Sequence, residues 1–347
     1  MEVLVDSCID FIPTHTFALL VISCSSSIFG SVIIFWTYWK IPAIRNFSRK
    51  LLLFLTVADL LTAIGNLIGG IRYFALEYSE NPCKRLQKSD SVCVAQSFIT
   101  TFSSMASFFW TVAIAGYIVL QLTVRSVGTR SKRALVVYNL ICWGFPGYIT
   151  VLALCLGVLG QDNSVGTGGW CWITSAITYD QQNFWMFVSG KAWEITCYIL
   201  TTLLYMVTKM ILCKRAQHTA YIYSWIKEEE EDFRLEDRNF IFVPFILYLL
   251  RLWGTIRFVI ALAKKEGGSN QLNMAQKVLM DLQSVGDSWQ GFWNFVLFCV
   301  VDNTVRDYLY RVVTDNRCCR KETHVDVQTE RSPILSRAEQ NAGTLVV

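Results

Sequence analysis

Apolar residues gather into seven long stretches separated by short polar intervals: Phe17–Trp39, Leu51–Ala75, Ser97–Val124, Ala134–Gly160, Phe184–Leu212, Asn239–Ala263 and Met274–Val301. About 20 apolar residues suffice to cross a bilayer as a helix, and a helix satisfies its own backbone polar groups where no water can. The pattern therefore predicts an all-α membrane protein, a seven-transmembrane helix bundle over residues 17–302. Residues 1–16 are too short to fold alone. After the last span, Thr304–Val313 alternates Val305, Leu309 and Val312 with Arg306, Asp307 and Arg311, which predicts a short amphipathic eighth helix within 303–316, lying on the membrane. The tail, 317–347, is polar and expected to be disordered. The seventh span is unusual. It holds Asp281, Asp287 and the run Gln290-Gly291-Phe292-Trp293-Asn294, which lipid alone would not tolerate, so its polar side must face neighbouring helices.

Composition agrees with this reading. The 347 residues are 53% hydrophobic and 17% charged, with a mean hydropathy of +0.38, a membrane-protein balance. Lysine and arginine crowd alternate intervals: Lys40, Arg45, Arg49 and Lys50; Arg125, Arg130, Lys132 and Arg133; Lys209, Lys214, Arg215 and Arg238; then the tail. The positive-inside rule places these in the cytoplasm, with the N-terminus outside and the C-terminus inside at the plasma membrane. The first span follows acidic Asp6 and Asp10, so it is expected to serve as a signal anchor. The sequon Asn46-Phe47-Ser48 falls on the inner side, and no glycan is expected. The run Glu228–Asp232 reads as a solvated helical extension. With three histidines, none of them in a span, no metal or cofactor is expected, and no nucleic-acid partner either. Membrane-embedded metal-dependent hydrolysis lacks its His ligands, a retinal-type pump lacks a lysine deep in the seventh span, and no internal repeat suggests a transporter.

Four of the twelve cysteines fall outside: Cys8, Cys83, Cys93 and Cys171. They permit three pairings. Cys93 stands near the start of the third span and Cys171 in Gly168-Gly-Trp-Cys-Trp172, so a bridge between them would pin a loop over the bundle mouth. Cys318 and Cys319, among basic residues at the membrane, are candidate palmitoylation sites.

Several motifs carry a resemblance. Cys142-Trp-Gly-Phe-Pro146 and Trp170-Cys-Trp172 resemble the fourth span and second outer loop of secretin-like and adhesion G-protein-coupled receptors, and Gln290-Gly-Phe292 their seventh span. Leu55-Thr-Val-Ala-Asp-Leu-Leu61 resembles instead the second span of rhodopsin-like receptors, whose third- and seventh-span signatures are absent. The mixture is similar to the slime-mould cyclic-AMP receptor group. The resemblance covers Phe17 to Cys319 and implies a receptor that transmits an unidentified extracellular signal to a heterotrimeric G protein and is not an enzyme. It also implies a Cys93–Cys171 bridge, which leaves Cys8 and Cys83 either as the remaining pair or as free thiols. A ligand-independent receptor, or a structural or chaperone-like seven-span protein, is the alternative.

Ionisable groups inside a bilayer are costly and mark function by default. Ligand candidates ring the outer half: Arg72, Tyr73, Lys191, Glu194, Arg257 and Asp281, with Trp193 and Trp289 as aromatic walls. Lys191 and Glu194, three apart, share a helix face and can pair. Asp281 and Asp287, six apart, point to different faces. Arg251 needs a counter-charge near mid-membrane, and Asp287 stands at matching depth, so the two predict a resting-state lock. Asp59 joins the expected activation network with Gln290, Gly291 and Asn294, Gly291 letting the helix bend and its neighbours bonding freed carbonyls. On the inner side Arg125, Arg130, Lys132, Arg133, Lys209, Lys214, Arg215 and Arg238 form a basic rim that would face the G protein and anionic membrane lipid.

Overall fold

The computed structural model describes residues 12–77, 89–123, 132–162, 167–219, 242–263 and 274–315. Cys8, Cys83, Arg125, Arg130, Glu228–Asp232, Arg238, Cys318 and Cys319 lie outside them, as do the side chains of Lys132 and Arg215. Residues 1–306 cluster into one compact unit and 307–347 into a second.

The described residues are helical almost throughout. α1 is Thr14–Lys40, α2 Phe47–Glu77 and α3 Ser91–Thr123. α4 runs Lys132–Asn139, widens into a π turn at Leu140–Gly144 and continues as Phe145–Cys155. α5 is built the same way, Tyr179–Met186, a π turn Phe187–Lys191, then Ala192–Thr219. α6 is Phe242–Ala263, α7 Met274–Gly286, α8 Gln290–Phe295 with a π turn Val296–Val300, and α9 Asn303–Asp315. α1 to α6 are each long and apolar enough to cross a membrane.

Two of the irregularities have local causes. Pro146 lacks an N–H and cannot continue an α ladder at full strength, and the wide turn Leu140–Gly144 stands directly before it. The wide turn rotates Trp143 onto α3, where it meets Trp110 edge-on at 6.1 Å and Phe102 at 5.5 Å. The second is the interruption between α7 and α8. The seventh apolar stretch is two helices here, not one, and the interruption falls at Asp287–Trp289, one turn before Gly291. Through Gly291 the helix is continuous; that glycine instead admits α1, since a Cβ there would stand 2.5 Å from Ser27 Oγ and 2.8 Å from Ser31 Oγ. Small residues at a helix interface let backbones approach closely in lipid, where van der Waals packing replaces the hydrophobic drive. The buried stripe of α1, with Ser23, Ser27, Gly30 and Ser31, has that character.

α2 packs along α1 and α3, α5 along α3, α6 against α7, and α1 against both α7 and α8. The loop after α4 forms a two-residue hairpin, β1 Leu159–Gly160 against β2 Trp172–Ile173, antiparallel. Leu159 and Ile173 bury into an apolar cluster with Ala153, Met186 and Phe258, which roots the hairpin in the bundle. Asp302 caps α9, accepting the Val305 N–H at 3.1 Å.

Candidate functional site

Beneath the hairpin the bundle holds a partly open cavity of about 60 Å³. α2 contributes Asn66, α3 contributes Thr100, Thr101, Ser104 and Phe108, and α5 contributes Ser189, Gly190, Lys191 and Glu194. Arg251 enters from α6, and Gln283 and Asp287 from α7 and the break that follows it. Thr167, Trp170 and Trp172 form the roof.

The roof is fastened. Cys93 and Cys171 form a disulfide with their Cα atoms 5.5 Å apart. Gln96 Oε1 accepts the Cys171 N–H at 2.8 Å, and Ser97 Oγ donates to Trp172 O. In the chain-entropy account a bridge between residues 78 apart contributes about 4 kcal/mol. Cys171→Ser should therefore lower Tm of the solubilised protein by on the order of 10 °C. An unchanged melting curve would show that the Gln96 contacts hold the roof alone.

The floor carries four charges. Lys191 Nζ donates to Glu194 Oε2 at 2.8 Å, and Glu194 Oε1 also accepts from Tyr198 at 2.7 Å and from Thr255 at 2.5 Å. That carboxylate is fully engaged. The second pair is looser: Arg251 Nη1 stands 3.6 Å from Asp287 Oδ1, beyond hydrogen-bond length, and the guanidinium lies 5.2 Å from the Phe108 ring centre. Gln283 donates to Asp287 Oδ2 at 3.0 Å. Exposures of 5% for Lys191, 2% for Glu194, 6% for Arg251 and 8% for Asp287 mean that none can lean on bulk water. Each must be matched inside, because breaking a buried pair costs several kcal/mol.

Five polar atoms on this lining have no hydrogen-bond partner among the described residues: Asn66 Oδ1, Thr101 Oγ1, Ser189 Oγ, Arg251 Nε and Asp287 Oδ1. One unsatisfied buried group costs about 1–3 kcal/mol. All five belong to residues lining the cavity; Ser27 Oγ, Trp110 Nε1, Ser284 Oγ, both ends of Gln290 and Asn294 Oδ1 also lack a partner among the described residues, away from it.

Of the residues expected around a ligand, the structure brings Lys191 and Glu194 to the cavity, together with Arg251 and Asp287. The others lie elsewhere. Arg72 bonds Asp90 at 2.9 Å and Gln161 at 3.1 Å. Tyr73 is buried against Ile12 and Met280, its hydroxyl accepting the Ile12 N–H at 3.3 Å. Arg257 supports the lining from behind, donating to Gln283 Oε1 at 2.6 Å and Thr167 O at 3.2 Å. Asp281 faces α1, where Thr16 donates to it at 2.5 Å and His15 stands 3.2 Å away. Trp193 packs between Phe109 and Phe145, and Trp289 donates to Ser26 Oγ at 2.9 Å while stacking on Phe292. The hydroxyl and amide lining from Asn66, Thr101, Ser104, Ser189 and Gln283 was not anticipated. Its signal, Ser and Thr recurring through the first half of α3, is ambiguous, because such side chains equally bond their own helix; Thr100 donates to Gln96 O at 3.0 Å.

A second polar cluster lies farther from the hairpin. Asp59 accepts from Ser107 at 2.7 Å and from Asn294 at 2.9 Å, tying α2, α3 and α8. Both side-chain ends of the buried Gln290 lack a partner among the described residues. Near the start of α2, Arg49 donates to Asp302 Oδ2 at 2.6 Å and Phe298 O at 3.1 Å, a contact between α2 and the end of α8 that residue spacing does not reveal. Arg133, Lys209 and Lys214 are exposed.

Comparison with known proteins follows the same lines. The profile of the slime mold cyclic AMP receptor family matches residues 10–312. The chain is similar to G-protein coupled receptor 157 of Rattus norvegicus, 34% identical over 307 residues, covering 87% of this chain and 85% of the relative. It is similar to its namesake in Homo sapiens, 32% identical over 342 residues and covering 96% of each. Cyclic AMP receptor-like protein A of Dictyostelium discoideum is 27% identical over 154 residues, 44% of this chain and 35% of that one.

Proposed function

The chain belongs to the slime mold cyclic AMP receptor family, and on that premise we propose that it is a seven-span G-protein-coupled receptor of the plasma membrane. In this reading α7 and α8 together form the seventh span, the N-terminus is outside, and α9 is the amphipathic eighth helix. The observation that carries it is the polar cavity with unbonded side-chain atoms under a disulfide-fastened roof. Structural proteins seldom leave such groups unsatisfied; a binding site keeps them for its ligand.

The signal is an extracellular small molecule. Relatives are named for cyclic AMP, which makes a cyclic nucleotide one candidate. The ligand stabilises whichever bundle arrangement it binds better, and only that difference drives the change. Arg251 and Asp287 hold α6 to the α7–α8 break in the resting state. Asp59, Gln290 and Asn294 relay the repacking inward, where α5 and α6 part and the basic rim, Arg133, Lys209 and Lys214 included, meets a G-protein α subunit. The chain acts as a transducer and not as an enzyme.

A nucleotide-exchange panel across α-subunit families, run on the full chain in membranes, tests the reading. Exchange above the empty-membrane background, at least severalfold in one family, is the expected result. Silence in every family at verified surface expression, with and without cyclic AMP, would remove the receptor assignment in favour of a structural seven-span protein.

A further inference from the structure

We propose that the cavity beneath Trp170 and Trp172 takes a small zwitterion, an amino-acid-sized molecule bearing one ammonium and one carboxylate, which inserts between Arg251 and Asp287. The inference rests on the receptor reading for its consequence but stands on the cavity's own chemistry.

Charge comes first. The lining has two cations, Lys191 and Arg251, and two carboxylates, Glu194 and Asp287, so it is balanced without a ligand. Glu194 already has three donors, Lys191, Tyr198 and Thr255. The open pair is Arg251 and Asp287, held at 3.6 Å with Arg251 Nε and Asp287 Oδ1 both unbonded. A lone anion would satisfy Arg251 and strand Asp287; a lone cation would do the reverse. An apolar guest would leave five orphaned polar atoms as they are. A zwitterion matches both. Its carboxylate accepts from the guanidinium, a charge-assisted contact, and its ammonium, with three donors and no acceptor, has Asp287 Oδ1 and Asn66 Oδ1 to receive it. The Thr101 and Ser189 hydroxyls, also unbonded, can donate or accept at the edges.

Size agrees. A water-sized sphere needs about 10–15 Å³, so about 60 Å³ has room for roughly four to six heavy atoms, the scale of glycine. A cyclic nucleotide is several times larger and would have to displace the tryptophan roof. The bound zwitterion exchanges the Arg251–Asp287 contact for one ion pair to each partner, and α6 is then no longer tied directly to the α7–α8 break.

The test uses the full chain purified in lipid nanodiscs and its Tm with glycine, alanine, serine, β-alanine or γ-aminobutyrate at millimolar concentration. Acetate, methylammonium and cyclic AMP serve as comparators. A rise in Tm with at least one zwitterion, and none with acetate or methylammonium, is expected. Thr101→Val keeps the side-chain shape and removes a hydroxyl that bonds nothing among the described residues; it should raise the unliganded Tm, since an orphaned buried group is lost, and yet weaken the apparent Kd about tenfold. No rise from any of these zwitterions overturns the proposal, as does an equal rise from acetate, methylammonium or cyclic AMP. The two readings also separate: a zwitterion-dependent Tm rise with no nucleotide exchange in any α family keeps the site and removes the receptor, while exchange driven by cyclic AMP without a zwitterion effect does the opposite.

Discussion

Asp287→Asn is expected to raise ligand-free nucleotide exchange about tenfold at unchanged surface expression. The side chains are nearly the same shape, so packing around residue 287 is preserved and the hydrogen bond to Gln283 can be kept with the amide turned. What goes is the countercharge of Arg251, which stands 3.6 Å away and is 6% exposed. The Phe108 ring beneath the guanidinium cannot replace it, since a cation–π contact contributes about 0.5–2 kcal/mol, less than the several kcal/mol that an unmatched buried charge costs. The penalty falls on the closed arrangement. When α6 swings, Arg251 regains water or lipid headgroups, so the open arrangement escapes most of it. Couplings of this kind run to about 1–3 kcal/mol, or 5–150-fold. Arg251→Gln should raise basal exchange comparably, and the double variant should not exceed either single one, because both remove one interaction. Unchanged basal exchange in Asp287→Asn would show that the pair is structural only.

That Arg251 and Asp287 come together was legible in residue types and depth, since two opposite charges in adjacent spans have few other partners. Lys191 with Glu194 was legible for a similar reason, three residues apart on one turn. The failures share a physical cause. Arg72, Tyr73 and Asp281 stand at the outer ends of spans, where a side chain can turn toward loops or a neighbouring helix as easily as toward the centre, and they found Asp90, Ile12 and Thr16. Trp193 and Trp289 pack among helices, which is what most buried aromatics do. Thr100, Thr101 and Ser104 bring three α3 hydroxyls to the cavity, and hydropathy cannot say whether a threonine bonds its own helix, as Thr100 does, or leaves its oxygen open, as Thr101 does. The span count itself was secure where apolar length alone decides it. Only in the seventh stretch does length fail, because polar residues that face the bundle also let the helix divide.

Where that division falls leads to the second large effect. Gly286 and Gly291 are both candidates for a bend by composition, but they differ in what surrounds them. A Cβ on Gly291 would meet two hydroxyls, Ser27 Oγ and Ser31 Oγ, side-chain ends that can rotate, and the Ser27 carbonyl oxygen at 3.1 Å, which has to yield by only a few tenths of an ångström. A Cβ on Gly286 would stand 1.9 Å from the Leu250 carbonyl oxygen and 2.8 Å from its carbon, backbone of α6 that cannot rotate away. Ordinary carbon–oxygen contacts lie at about 3.3 Å or more, so Gly286→Ala must push α6 and α7 apart by more than 1 Å. Leu250 immediately precedes Arg251 and Gly286 immediately precedes Asp287, so the wedge would lengthen their 3.6 Å contact while opening voids along the α6–α7 seam. Overpacking alone costs about 1–3 kcal/mol, and the lost electrostatic match adds to it. Gly286→Ala is therefore expected to cut surface delivery tenfold or more, while Gly291→Ala keeps at least half. Surface biotinylation against total expression measures both. If Gly286→Ala reached the surface like the parent, α6 would have to sit farther from α7 in the membrane than it does here, and the Arg251–Asp287 contact could not be the resting restraint.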